Sequence, residues 1–416
     1  MSNMRSPSQR RVVFVVAALT TVTALLAACK GADSTTAPPV VTPPVDTAVT
    51  VKVTPQSVSA GGSHSCVVAD AGATYCRGRN VYGALGTGVG AGESARPRAV
   101  VGSLAFASVS AGYVHTCGLT TAGSAYCWGW NYERANVKGA IGDGTEIDRA
   151  VPTAVAGGLV FREIAAGGHH SCGVTTANVS YCWGRSVNGD LGTGDTSGVA
   201  QLRPVIVAGN HVFHGFALGY RSSCGLEPDG TAYCWGASDD GQLGNGTNAG
   251  YTFSPVAVSG GLRFLGIAAA QFGAHVCGIA ADSTAYCWGG NDFGQVGDGS
   301  TVGRKVPTRV SGGQKFVSIG AGGYYSCGVT VSGQAYCWGS VYAADRVGEP
   351  SGPTPRLMVT PNGVTFSTLT VGANHACAMT ATKVIYCWGA GGAVGDGTQL
   401  DRDLPTAVVG FKTSPP

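Results

Sequence analysis

The 416 residues include 67 Gly and 15 Cys, and only 12% are charged, about half the usual share. A hydrophobic fraction of 44% supplies ample apolar surface for a core, which excludes disorder outside the N-terminal segment. The formal net charge of +3 includes Arg5, Arg10 and Arg11, which precede a segment expected to be removed; without them Lys plus Arg falls from 26 to 23 and equals Asp plus Glu, leaving no electrostatic footprint for a nucleic-acid partner.

Residues 1–28 have a basic start, an apolar run from Val12 to Leu26 and a small-residue ending, the layout of a secretory signal peptide. The run is too short to favour a permanent membrane span. Leu26-Ala27-Ala28-Cys29 resembles the bacterial lipobox, whose Cys is diacylated and becomes the first mature residue. An ordinary signal peptide followed by a coincidental Cys is the competing reading. Cys29 is the only cysteine outside a pairing pattern, which favours lipidation. Residues 29–56 then form a Pro/Thr-rich, extended spacer off a membrane. Lys30 rather than an aspartate follows Cys29, as in cargo sorted to the outer membrane of a two-membrane bacterium. The expected location is the cell envelope, lipid-anchored on the outer membrane or cell surface.

Residues 57–416 repeat one unit seven times. Its clearest copy is Ala111-Gly112-Tyr113-Val114-His115-Thr116-Cys117-Gly118-Leu119-Thr120, then Gly123-Ser124-Ala125-Tyr126-Cys127-Trp128-Gly129. Cysteines recur as Cys66 and Cys76, Cys117 and Cys127, Cys172 and Cys182, Cys224 and Cys234, Cys277 and Cys287, Cys327 and Cys337, Cys377 and Cys387. The residues between each pair read as a tight hairpin, with Gly123 at a left-handed turn position. Such a hairpin sets the two cysteines opposite each other, about 4.5 to 5.5 Å apart at Cα, within disulfide range. Seven disulfides are expected, each local to one repeat. Zinc is the rival, but nine intervening residues and an export signal both favour oxidation.

After the hairpin each unit has a turn-rich stretch such as Asn291 to Ser300, a proline-containing apolar run such as Val306-Pro307-Thr308-Arg309-Val310, and a fourth segment such as Phe316-Val317-Ser318-Ile319. No segment sustains a 3.6-residue period, so four short strands per unit predict an all-β, seven-bladed β-propeller. The C-terminal Thr406-Ala407-Val408-Val409 run stops where other units continue into Phe, Ile and Ala-Gly. Gln56 to Gly61 supplies the missing piece, so one blade is expected to be shared between the chain ends, closing the ring with N- and C-terminal strands.

The string Ala-Gly-x-x-His-(Ser/Thr)-Cys-Gly-(Leu/Val)-Thr, then Ala-Tyr-Cys-Trp-Gly, then Gly-Gln-Leu-Gly-x-Gly-Thr at Gly241 to Thr247, resembles the regulator of chromosome condensation repeat over residues 57 to about 411. The resemblance implies a seven-bladed propeller and varied binding roles: nucleotide exchange on a nuclear small GTPase in eukaryotes, and enzyme inhibition by some secreted bacterial members. The cysteine pairs, the signal peptide and the absence of basic charge depart from the chromatin setting. No GTPase-contacting element is matched, so no residue role transfers. Unit six is degenerate, with Ser340 to Gly348 where Gly-Gln-Leu-Gly belongs.

His64, His115, His170, His275 and His375 stand two positions before a first cysteine. One residue per blade lies too far from its counterparts to share a zinc, and the expected role is a bond to backbone within its own blade. Ser222 and Tyr325 replace the histidine in units four and six. Trp128, Trp183, Trp235, Trp288, Trp338 and Trp388 follow the second cysteine, with Arg77 in the first unit. A sugar-binding groove is conceivable for such a series, but packing between blades is the expected use. Gly142-Asp143-Gly144-Thr145 and its copies at Gly297 and Gly395 offer one carboxylate each, too few for calcium, and read as turns. No metal or cofactor is expected.

No nucleophile elbow, phosphate loop or His-Glu-x-x-His is present, so the expected function is a non-catalytic scaffold, a monomer binding a protein or glycan. The alternatives are an exchange-factor-like regulator and a propeller lyase or glycosidase. Function is expected where copies differ. Unit two carries about five extra residues between Trp128 and Gly142, and Trp130, Tyr132 and Arg134 there are candidate contacts, because Trp, Tyr and Arg are common interface anchors; a neutral loop is the other reading.

Overall fold

The computed structural model describes residues 53–134, 137–248, 250–340 and 352–411, apart from the side chains of Glu133 and Arg134. The expected signal segment, Cys29, nearly all of the expected linker and the degenerate stretch from Val341 onward lie outside these residues. No helix of the described residues is long and apolar enough to cross a membrane.

Seven four-stranded antiparallel sheets follow one another along the chain: blade one at 55–99, two at 106–154, three at 161–206, four at 215–257, five at 264–309, six at 316–357 and seven at 368–407. Strand order within each sheet is chain order. First strands such as Phe106–Ala111 line a central channel; its walls include Ser59, Ser110, Ala165, Ala217, Ala268, Gly320 and Thr370, contributed by all seven blades. Second strands such as His115–Thr120 are almost wholly buried between neighbouring blades. Outer strands such as Arg149–Ala154 are half exposed and carry the repeated proline, whose missing N–H is harmless on an outer edge.

The hairpin register follows the repeat. Cys117 faces Cys127 and the other six pairs oppose in the same way, each bridged by a disulfide with Cα atoms 4.0 to 4.1 Å apart. The turn position is left-handed in every blade: glycine occupies it at Gly72, Gly123, Gly230 and Gly333, while Asn178, Ser283 and Lys383 hold the same conformation. The glycine after the first cysteine has a packing reason. A Cβ on Gly118 would lie 2.6 Å from the Phe106 ring, which covers the hairpin from the first strand.

The ring closes between N- and C-terminal strands, but through packing rather than through a mixed sheet. Pro55–Ala60 pairs with its own neighbour His64–Ala69, so the segment beginning at Phe316 starts the next blade instead of finishing the previous one. The expected sharing of one blade by both ends is therefore corrected by one strand of phase. At the junction, Val67 and Val58 pack with Val408 and Phe411, and the Tyr75 and Phe411 rings meet edge to face at 5.9 Å.

Candidate functional site

The repeated polar residues turn out to stitch one blade to the next. His64 Nε2 lies 2.8 Å from Thr116 Oγ1 of the following blade, and His115, His170, His275 and His375 reach Ser171, Ser223, Ser326 and Ser65 at 2.6 to 2.9 Å. Thr116, Ser171, Ser223 and Ser326 each donate their proton to a carbonyl of the preceding blade at 2.7 to 2.9 Å, which leaves their oxygens to accept from imidazole Nε2–H. This corrects the expectation of a backbone bond within the same blade. Where the histidine is missing, its partner is missing too: Ser222 faces a blade with Val276 at the hydroxyl position, and Tyr325 faces one with Ala376.

Trp128, Trp183, Trp235 and Trp338 donate Nε1–H to the same carbonyls at 2.9 to 3.0 Å, those of Ala84, Ala140, Asp190 and Gln295, and Trp288 donates to Gln242. In blade one Arg77 takes over, donating Nε–H to the Ala393 carbonyl at 3.1 Å. Burial of the five bridging imidazoles pulls them well below their ordinary value of 6.5, to about 3 for His115, His170 and His375 and about 4 for His64 and His275. In the Gly-Asp-Gly turns, Asp143 accepts from Thr145 and Arg149, and Asp298 and Asp396 make the matching contacts. Among the described residues no group of three or more His, Cys, Asp or Glu could hold a metal ion.

These framework residues leave one face of the disc distinctive, the face formed by turns between first and second strands. Backbone bonds run around its rim, from Gly62 N to Gly112 O, Tyr113 N to Gly167 O, Gly168 N to Gly219 O, Tyr220 N to Ala270 O, Gly323 N to Ala373 O and Ala373 N to Gly61 O. Blade five has two extra residues in this turn. They send Gln271 across the channel to donate to the Ala111 carbonyl at 2.7 Å, and stack Phe272 on Tyr113 of blade two with ring centroids 5.1 Å apart. The mouth of the channel is thus filled by side chains.

Beside this plug lies a cleft of about 630 Å³, lined by His169, Arg185, Tyr220, Arg221, Phe272 and Tyr324 together with Val137, Ser222, Gln242, Gly273 and Ala274. Arg185 is buried, its Nε has no partner, and its Nη1 lies 3.9 Å from Asp190 Oδ1. Burial pushes the Asp190 carboxyl up to about 6, opposed by the Arg185 charge. Burial, and then Arg185, hold the His169 imidazole down near 4. Arg221 Nη2 is 3.5 Å from Asp239 Oδ2.

The blade-two insertion borders this cleft. It forms a small hairpin from Tyr132–Arg134 and Val137–Lys138, and Val137 reaches the cleft wall. The two candidate contacts whose side chains are described, Trp130 and Tyr132, differ in exposure. Trp130 is only 3% exposed and packs on His169 at 4.9 Å, so it supports the cleft from beneath rather than offering a surface anchor. Tyr132 is 49% exposed, and the Arg134 side chain lies outside the description. Arg185 and Arg221 were missed in the sequence; their only signal is that they occupy positions where the copies disagree.

Models of the regulator of chromosome condensation (RCC1) repeat match residues 106–134, 161–190, 213–242, 229–277 and 282–329, which fall on blades two to six. The matched segments of blades two to six are RCC1 repeats. The Ultraviolet-B receptor UVR8 of Arabidopsis thaliana is 29% identical over 61% of this chain and 57% of its own length. The human E3 ubiquitin-protein ligase HERC2 is 30% identical over 62% of this chain but only 5% of its own length. The chain therefore spans little more than half of one relative and a small part of the other. Among solved structures, human WBSCR16 superposes with a TM-score of 0.71 at 20% identity, covering 81% of this chain and 94% of that one. Yeast RCC1 (Prp20), solved bound to Kap60, gives 0.68 at 22% identity, covering 86% and 84%. At these identities the likeness establishes the RCC1-type propeller fold.

Proposed function

We propose that this RCC1-repeat propeller is a non-catalytic binding module that recognises a protein or glycan through its turn face, held outside the cytoplasm by a lipid on Cys29. The cleft at that face carries the reading. It concentrates arginine and aromatic side chains where the copies differ, on a disc whose repeated residues are engaged between blades. Yeast RCC1, of the same fold, was solved bound to the protein Kap60. A lyase or glycosidase would need clustered acids at the channel, whereas the channel residues named above are small and uncharged.

The test is capture from envelope extracts with the purified propeller, compared with a Tyr132→Ala, Arg221→Ala double variant of unchanged circular dichroism. A partner held by the native protein and lost by the variant supports the reading; equal recovery overturns this face as the binding face. Metabolic labelling with a palmitate analogue, native against Cys29→Ala, tests the anchor: equal labelling of both would end the lipoprotein proposal.

A further inference from the structure

The cleft's lining has a particular chemistry. Both charged side chains on its wall are guanidinium groups; no carboxylate lines it, and Asp190 sits behind Arg185 with no exposed surface. Arg185 Nε and His169 Nδ1 are buried without partners, although both residues line the cleft. Unpaired buried polar atoms are costly, so each is a place where a ligand oxygen would bring a gain. Beside them the Tyr220, Phe272 and Tyr324 rings are partly exposed, in edge contact with Phe272 at the centre.

The kind of ligand follows from what the rim can no longer offer. Tyr113 N, Gly168 N, Tyr220 N and Gly323 N all donate to the neighbouring blade, so these turns have no free backbone row with which to pair a peptide main chain. Recognition there must run through side chains: planar charged groups for an acid, an imidazole and the Gln242 and Ser222 side chains for hydroxyls, and rings for an apolar face. A volume of about 630 Å³ falls within the range of compact ligand sites. A sugar that bears an acid meets all three requirements, since it has a carboxylate for guanidinium, several hydroxyls, and C–H faces that pack on aromatic rings.

We propose that the cleft binds a carboxylate-bearing saccharide, its acid group taken by Arg221 and Arg185 and a sugar ring laid against Tyr220, Phe272 and Tyr324. This rests on the turn face being the binding face.

The experiment is calorimetric titration of the purified propeller with trigalacturonate, its methyl ester and neutral maltotriose. The acid binds at least tenfold more tightly than the ester; Arg221→Ala abolishes that preference, and Tyr324→Ala weakens acid and ester alike. Arg221→Lys keeps the charge but loses the planar fork, and restores part of the preference. Equal affinity for acid and ester, or an acid affinity indifferent to Arg221→Ala, overturns the proposal. Absence of saccharide binding overturns it as well, and capture then separates the two readings. If Arg221→Ala still abolishes partner capture, the binding face stands and only the saccharide falls; if capture is unchanged, both fall.

Discussion

Acidification should unfold this propeller steeply, because the blade junctions are held by neutral imidazoles. The five bridging histidines and His169 have native values of about 3 or 4 against an ordinary 6.5. Below pH 6.5 the unfolded chain gains a proton at each site, while the folded chain does not until its own lower value is reached. Their contribution is therefore complete above pH 6.5 and is lost as pH falls towards 4. Asp190 acts in the opposite sense: its native value near 6 lets the folded chain bind one proton that the unfolded chain refuses until about pH 4. For these seven groups taken alone the uptake on unfolding near pH 5 is about five protons, a slope on the order of 7 kcal/mol per pH unit, and the raised carboxyl of Glu163 works against it in the same sense as Asp190. Integrated from pH 7 to pH 5 the loss is on the order of 10 kcal/mol, comparable to the whole stability of an ordinary domain. The assay is guanidinium unfolding with disulfides intact at pH 7.5, 6.5, 5.5 and 5.0, followed by tryptophan fluorescence. His115→Gln removes one titrating bridge and should flatten the slope by on the order of 1 kcal/mol per pH unit. An unfolding midpoint at pH 5 equal to that at pH 7 would refute the account.

Three further outcomes are expected from the blade architecture. Trp235→Phe deletes the bond to the Asp190 carbonyl and leaves a small void, lowering unfolding free energy by about 2 kcal/mol in denaturant titration. Lys383→Gly relieves a left-handed residue with φ of 66° and should raise stability by about 1 kcal/mol, seen as a higher melting temperature; a lower one refutes the turn argument. Replacing Cys224 and Cys234 together by Ala costs about 3 kcal/mol through the opened loop, and unreduced peptide maps of the native protein should contain only within-blade pairs among the repeats.

The number of blades, the hairpin register and the cysteine partners were legible because each depends on spacing inside one copy. Phase was not. A tandem repeat reads the same from any starting point, and only the hydrogen-bonded ladder shows that Phe316 begins a blade. The histidine bridges were hidden for a related reason: His170 meets Ser223, a residue of the next copy, so neither copy alone contains the pair. The paired losses, Ser222 with Val276 and Tyr325 with Ala376, were visible in the residues yet carry meaning only once the junction is known. Trp130 looked like an exposed anchor because its composition suits one. The chain after Gly129 instead turns the ring onto His169, one of the residues that line the cleft.

The departures that build the cleft lie on neighbouring blades. Blade two contributes the extra hairpin and Trp130, blade three His169 and Arg185, blade four Tyr220 and Arg221 with Ser222 in place of the histidine, and blade five the two-residue insertion carrying Gln271 and Phe272. Two of these departures cost a framework element: the histidine bridge is absent between blades four and five, and no rim bond joins blade five to blade six among the described residues. A ring bridged by histidine at five of its seven junctions, with a disulfide in each blade, can tolerate such local losses. Repetition supplies a rigid disc, and that rigidity lets a few non-repeating side chains be held in one cleft without a loop having to order on binding.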